Sequence, residues 1–430
     1  MSALHKTIDK SNFICYNYIK FKIRKCFMIK REKYLNKIIP FIDKPLIKAL
    51  IGVRRSGKTV LLTQIKDYLI DRGLEEKQIL YINFESFSFK KFLNGSYLYE
   101  YVIEKSNALN GKKIYLFFDE IQDVDEWEKV LASFLVDIDC DIYITGSNSK
   151  LLSGELATHI SGRHVHFDIY PFTFSEAKEY AKELGRTIDD EQLFNEYIEF
   201  GGLPQCCALP EKQSKQTYLE DIFNTIVVND IVERNKINDI DLLKRLIVFL
   251  LDNIGNTFSA NSICKALKGE GINTTVNTIA SYISSILKSL VICSAKRYDA
   301  KGKALLSTNE KYYSADLGIR NHIKSSEYID YSKLFENVVY LEMLSRGYEI
   351  DIGKVGEYEI DFICFNRDKK KVYIQVTYLL SDEKTIEREF RPFTYIDDNY
   401  PKYVISADKF NFSRNGIKHC NIIDFLLDKQ

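Results

Sequence analysis

Two short stretches carry residue types whose spacing can do chemistry. Gly52 to Thr59 reads GVRRSGKT, a full match to G-x-x-x-x-G-K-[ST]. In that pattern Gly52 and Gly57 let the backbone wrap closely around phosphate oxygens. The loop residues Val53, Arg54, Arg55 and Ser56, with Lys58, Thr59 and Val60 opening the next helix, present backbone N–H groups where negative charge is favoured. Lys58 reaches the β- and γ-phosphates, and the Thr59 hydroxyl holds magnesium. The second stretch is Asp119-Glu120, which ends the apolar run IYLFFDE begun at Ile114. A carboxylate at the end of a buried parallel strand can hold magnesium through water, and its neighbour can activate water as a general base. By itself, an acidic strand end is equally well explained by its exit into solvent. Paired with the phosphate loop, it predicts nucleotide hydrolysis: Lys58 and Glu120 catalytic, Thr59 and Asp119 on the metal, with ATP and Mg2+ as the ligands.

Further candidates follow along the chain. Gln122 positions water or a neighbour, whereas Trp127 reads as a packing residue of the next helix. The run CDIYIT, from Cys140 to Thr145, is a strand ending in Gly146-Ser147-Asn148-Ser149. Ser147 and Asn148 are thereby candidates for sensing the γ-phosphate, although such a run is also an ordinary loop. Arg163 is a candidate for stabilising γ-phosphate charge, from within the chain or from a neighbouring subunit, and equally a solvent or structural arginine.

The elements that must position these groups are legible in outline. Lys48 to Ile51 is a short run before the loop, and Val60 to Ile70 has apolar residues at helical spacing. Strands are expected over 78–85, 114–120, 140–145 and 165–169, with helices between. With 430 residues, 45% hydrophobic, the chain is long enough for two to four domains with sizeable cores. Lysine plus arginine equals aspartate plus glutamate at 60 each, so any nucleic-acid contact must rest on a local patch. The nine cysteines include no C-x-x-C pair, which excludes a zinc ribbon and suits a reducing, cytoplasmic setting. The absence of an eighteen-residue apolar run predicts no membrane span. Residues 1–27 mix basic and aromatic residues without the core of a signal peptide and are expected to be a poorly ordered extension or an alternative start, with Met28 opening the regular part.

Taken in order, GVRRSGKT, then FFDEIQ with Trp127, then ITGSNSKLLSGE, then SGRHVHFDIYPFTFSEA, resemble the AAA-type ATPases of bacteria and archaea that carry a fused C-terminal domain of unknown function. Gly201-Gly202-Leu203-Pro204 resembles that family's Gly-Gly-x-Pro element, and Tyr313-Ser314-Ala315-Asp316-Leu317-Gly318 resembles a stretch of its fused domain. The resemblance implies an α/β protein: a P-loop NTPase core with a parallel sheet over 28–170 and a helical lid over 171–240.

Residues 241–330 read as helix, helix, helix and then a hairpin about Asp299 to Lys303, the order of a winged helix. Its hairpin carries Lys296, Arg297, Lys301 and Lys303, which suit phosphate contact, but the presumed recognition helix offers only Lys288. Packing or protein contact is therefore as well supported as DNA reading. Residues 331–430 resemble a PD-(D/E)xK nuclease in layout, with Glu336 on a helix and Asp361 on a strand. The positions of the next acid and the lysine, however, hold Gln375 and Thr377. Such a domain is expected to keep the fold and lack the activity. The expected function is a magnesium-dependent ATPase that moves these C-terminal domains. An ATP-gated DNA-binding protein and an active ATP-coupled nuclease are the alternatives. ATP is the expected ligand, with DNA at the hairpin, a second copy or a protein client as further partners. No N-K-x-D motif supports a GTPase.

Overall fold

A computed structural model describes residues 28–146, 162–233, 235, 237–300, 302, 304–324 and 329–429. The expected extension 1–27 and the candidates Ser147, Asn148, Lys301 and Lys303 lie outside the described residues.

The N-terminal region is a three-layer α/β sandwich. Its parallel sheet comprises β1 (Ile47–Ile51), β2 (Ile79–Asn83), β3 (Ile114–Asp119), β4 (Cys140–Gly146) and β5 (His164–Asp168), in the order β2-β3-β4-β1-β5. The central strands β1 and β3 are buried throughout, as their near-continuous apolar sequences require of strands covered on both faces. Alternate residues point to opposite faces. Leu50, Phe117 and Tyr143 meet Leu61, Leu62 and Ile65 of helix Lys58–Asp71, with Tyr34 and Leu35 of helix Glu32–Ile38. Ala49, Ile51, Leu116, Phe118 and Ile144 meet Leu98 and Val102 of helix Gly95–Asn107 and Leu131 and Phe134 of helix Trp127–Asp137. Trp127 packs in this second layer, as expected from its type. Lys48, read as part of an apolar run, is fully buried because its ammonium pairs with Asp141, whose other oxygen accepts from Tyr143 OH at 2.8 Å.

Helices Phe174–Glu183, Asp190–Phe200, Pro204–Ala208 and Lys212–Thr225 follow, and a π-helical turn spans Ile226–Glu233. Thr173 and Glu176 cap the first of these reciprocally, the box that a Thr-x-x-Glu sequence forms.

The C-terminal region is built on an eight-stranded mixed sheet, β13-β12-β11-β10-β9-β7-β8-β6. Its strands are β6 (Thr257–Phe258), β7 (Ile292–Asp299), β8 (Ala304–Ser314), β9 (Glu349–Val355), β10 (Tyr358–Phe365), β11 (Lys371–Val376), β12 (Lys402–Ser406) and β13 (Lys418–Asn421). Helices Ile240–Asp252, Ala260–Gly269 and Val276–Lys288 precede the β7–β8 hairpin, the last two capped by Ser259 and Thr275. Helix Tyr331–Arg346 covers one face of the sheet and ends at Gly347, whose φ of 90° is the left-handed conformation that favours glycine. Helix Glu383–Phe390 covers the other face. Because β7 pairs in parallel with β9, the sheet runs unbroken across the division expected at 330/331.

Candidate phosphate-binding and hydrolytic site

The phosphate loop joins the end of β1 to helix Lys58–Asp71, so GVRRSGKT lies in the strand–loop–helix setting its chemistry needs. Gly57 has φ of 98°, which lets the chain turn into the helix at Lys58. Gly52 is required for a different reason from the one its sequence suggests. A Cβ there would lie 2.1 Å from the Ile169 carbonyl oxygen, so close backbone packing against the segment after β5 already excludes a side chain. Lys58 is buried, and its Nζ donates to the Gly52 and Val53 carbonyls at 3.0 and 3.2 Å. An ammonium has three N–H groups, so one remains for a phosphate oxygen. Burial lowers its pKa, while Glu120 and Asp119 pull the other way. The buried Ser56 Oγ makes no hydrogen bond within the protein, an orphaned polar atom within the loop itself. These features fit a bound polyphosphate.

The acidic pair lies two strands away. Asp119 closes β3, and β4 runs between it and β1. Thr59 Oγ1 nonetheless donates to Asp119 Oδ1 at 3.1 Å, so the two predicted metal-side residues meet. Burial raises the Asp119 pKa against the hydroxyl bonds from Thr145 and Thr59. Magnesium keeps several waters and takes few protein oxygens, and this pair suits that demand. Glu120 follows with φ of 57°, a left-handed conformation uncommon for a residue with a Cβ. Gln122 Nε2 donates to Glu120 Oε2 at 2.6 Å, so Gln122 holds this neighbour.

Several residues of this site escaped the sequence reading. Thr145 donates to Asp119 Oδ1 at 2.5 Å and accepts the Glu120 N–H at 2.9 Å. It was legible as the polar end of an apolar strand, and it lies two residues before the candidates Ser147 and Asn148. Asn83 and Tyr81 on β2 donate to Asp119 Oδ2 at 3.0 and 3.3 Å. Arg54 forks onto Asp230 of the π-helical turn, both contacts at 3.1 Å, tying the loop to the helical segment behind it. Arg31 is 1% exposed and joins four segments. Its guanidinium donates to Ser56 O at 2.9 Å, Tyr170 O at 3.0 Å and both oxygens of Glu176 at 3.0 and 2.9 Å. Nothing in the sequence around Arg31 or Asp230 marks them, because their partners are distant in the chain.

Of the alternatives open for Arg163, the geometry bears on action within its own chain. It is exposed in the turn before β5, and its carbonyl accepts from Ile47 N at the start of β1. The phosphate loop leaves the other end of β1, about 13 Å away at roughly 3.3 Å per residue. The parallel register therefore puts Arg163 at the wrong end of the sheet to serve its own chain's phosphate. The expected basic hairpin is also partly consumed. Lys296 is exposed, but Arg297 faces Glu359 at 3.8 Å.

Gly201 and Gly202 meet the other recognised stretch. A Cβ at Gly201 would lie 2.2 Å from Asp316 Oδ1, and Gly202 N donates to Asp316 Oδ2 at 2.8 Å. Asp316 is 1% exposed, and burial raises its pKa to about 6 against several backbone N–H bonds. A Cβ at Gly57 would lie 3.8 Å from Pro204 Cγ, so this element also borders the phosphate loop.

The fold and this arrangement define an AAA-type ATPase domain: residues 44–178 match the AAA domain family. Residues 191–329 match a domain of unknown function, DUF8612. The chain is 39% identical over 404 residues to an uncharacterized protein of Haemophilus influenzae, covering 93% of this chain and 99% of that one. It is 32% identical over 378 residues to the uncharacterized protein MJ1544 of Methanocaldococcus jannaschii, covering 85% and 82%. The chain belongs to the family of these two proteins. Among solved structures, that of the Aeropyrum pernix ORC1 protein in complex with DNA aligns over 69% of this chain and 92% of that one. The identity is 13% and the TM-score 0.30, too loose a superposition to bear on function. No helix among the described residues is long and apolar enough to cross a membrane.

Proposed function

We propose that the chain binds ATP with magnesium and hydrolyses it at the site between β1 and β3. The observation that carries this reading is the 3.1 Å contact between Thr59 and Asp119, beside the buried Lys58 and the neighbouring Glu120. Lys58 and the N–H groups from Val53 to Val60 bind the phosphates. Thr59 and Asp119 would hold magnesium, which when bound would neutralise charge on the β- and γ-phosphates. Glu120 takes a proton from the attacking water, and Gln122 and Thr145 hold the acidic pair in place.

The loop is braced by the following helices through Arg54–Asp230, Gly57–Pro204 and the burial of Val53 among Leu203, Leu219 and Ile222. These contacts support a cycle in which nucleotide state is passed to the C-terminal half. Residues 241–330 read as a winged helix whose β7–β8 hairpin continues the sheet of 331–430, itself read as a nuclease-like fold without cutting activity. Gln375, in place of an acid, is spent bridging Asp361 N and Glu389 Oε2. Arg163 acts, if at the phosphate at all, only from a neighbouring copy.

Steady-state ATP turnover tests the reading. Lys58→Ala should weaken binding or turnover, and Glu120→Gln should preserve binding while slowing hydrolysis by at least about 100-fold. Wild-type protein that neither binds nor hydrolyses ATP with magnesium overturns it.

A further inference from the structure

A second concentration of buried charge lies in the C-terminal sheet, where the nucleotide site has no part. Lys311 on β8 is 3% exposed. Its Nζ is 2.7 Å from Glu359 Oε1, 3.1 Å from Glu336 Oε1 and 3.6 Å from Asp361 Oδ1. These acids arrive from two different elements, helix Tyr331–Arg346 and β10. A break in register between Ile360 and Ile363 spans Asp361, and such a bulge re-aims a side chain.

The partners of each acid are accounted for. Glu336 also takes Lys333 Nζ on Oε2 at 3.0 Å and Tyr313 OH on Oε1 at 2.7 Å. Asp361 Oδ2 accepts Val376 N at 2.9 Å. Arg297 approaches Glu359 from outside. Burial pushes Glu336 up, and Lys311 and Lys333 more than reverse it; burial and then Glu336 raise Asp361.

Carboxylates converging from a helix and a strand are the kind of oxygen ligand that a hard divalent cation takes, but as these stand no three acids among the described residues are grouped to hold one. Here an ammonium stands among them, within hydrogen-bond distance of Glu359 and Glu336 and in a longer ion pair with Asp361. A divalent ion needs oxygens at about 2.0–2.6 Å, and it cannot share that point with Nζ. We propose that Lys311 is the resident cation of this carboxylate site: it occupies the place of a divalent ion, excludes one, and fastens the β7–β8 hairpin to the C-terminal helix and sheet. The missing lysine and acid at Thr377 and Gln375 then have a counterpart, since the metal they would have served is replaced from within the chain.

Terbium is a suitable probe, because a Tb3+ ion on Glu336 would be sensitised by the adjoining Tyr313. The full chain carries Thr59→Ala and Asp119→Asn throughout, so that metal at the proposed nucleotide site does not contribute. Lys311→Ala should gain one sensitised Tb3+ site, raise its melting temperature by several degrees on adding Mn2+, and lose both responses with Glu336→Gln. The parent should show neither response. The idea is overturned if folded Lys311→Ala takes up no ion, or if the parent already binds Tb3+ in a manner abolished by Glu336→Gln. Should Lys311→Ala fail to fold, Lys311→Met/Asp361→Asn decides, because it removes one charge of each sign. Recovery of a cooperative melt in that double variant supports the assignment, and failure to exceed Lys311→Met overturns it.

Discussion

Arg31→Met should expose how far the phosphate loop depends on a residue outside it. Methionine keeps much of the apolar stem but removes every donor of the guanidinium, which also lies over the Tyr34 and Phe172 rings. Three consequences follow from the geometry. Glu176, 7% exposed, loses its counter-charge while keeping only the Thr173 contacts. Ser56 O and Tyr170 O each lose a donor. Breaking a buried ion pair by removing one partner costs about 3–5 kcal/mol. The surviving capping bonds on Glu176 place the expected loss near the lower end, about 3 kcal/mol. Arg31→Met/Glu176→Gln leaves no uncompensated charge, so it should recover roughly 1–2 kcal/mol of that loss. Urea unfolding followed by fluorescence is direct, because the chain has a single tryptophan and Trp127 is buried in the ATPase core. Freed from its anchor at Ser56, the loop should also bind a fluorescent ATP analogue about tenfold more weakly, equivalent to roughly 1.4 kcal/mol. A single variant within about 1 kcal/mol of wild type, or a double variant no more stable than the single, would refute the reasoning.

Thr145→Val removes the hydroxyl shared by Asp119 and Glu120 while conserving shape. Turnover should fall about 10- to 100-fold with nucleotide affinity little changed, as measured by kcat against Kd. Asp316 predicts a pH dependence. A carboxyl whose folded pKa, about 6, exceeds its unfolded value takes up a proton on folding between the two. Its contribution is therefore most favourable below about pH 4 and declines as pH rises to about 6, by roughly 3 kcal/mol in all. Urea midpoints from pH 4 to 7 should show this decline in wild type and a flatter profile in Asp316→Asn; parallel profiles would remove Asp316 as the cause.

Much of this protein is written locally in its chain. The phosphate loop is contiguous, and eight residues fix its donors, its turn and its helix start. Asp119-Glu120 ends a run that can only be a buried strand, and Ser259, Thr275 and Gly347 mark helix boundaries through bonds within a few residues of themselves. Such features are legible because backbone sterics and hydrogen bonding between near neighbours decide them. The order β2-β3-β4-β1-β5 is a different kind of fact. It puts β4 between the loop and the acids, so Thr145 becomes a shared contact, and it carries Arg163 to the far end of the sheet. Arg31 and Glu176 are 145 residues apart, and Lys311 finds Glu336 across 25. No local pattern announces these pairs, because each charge is tolerable in the interior only once the complete fold has brought its counter-charge beside it. The chemistry of the phosphate loop and its acids was thus determined by sequence, while what braces it, and the cation that fills the C-terminal carboxylate cluster, were decided by tertiary structure.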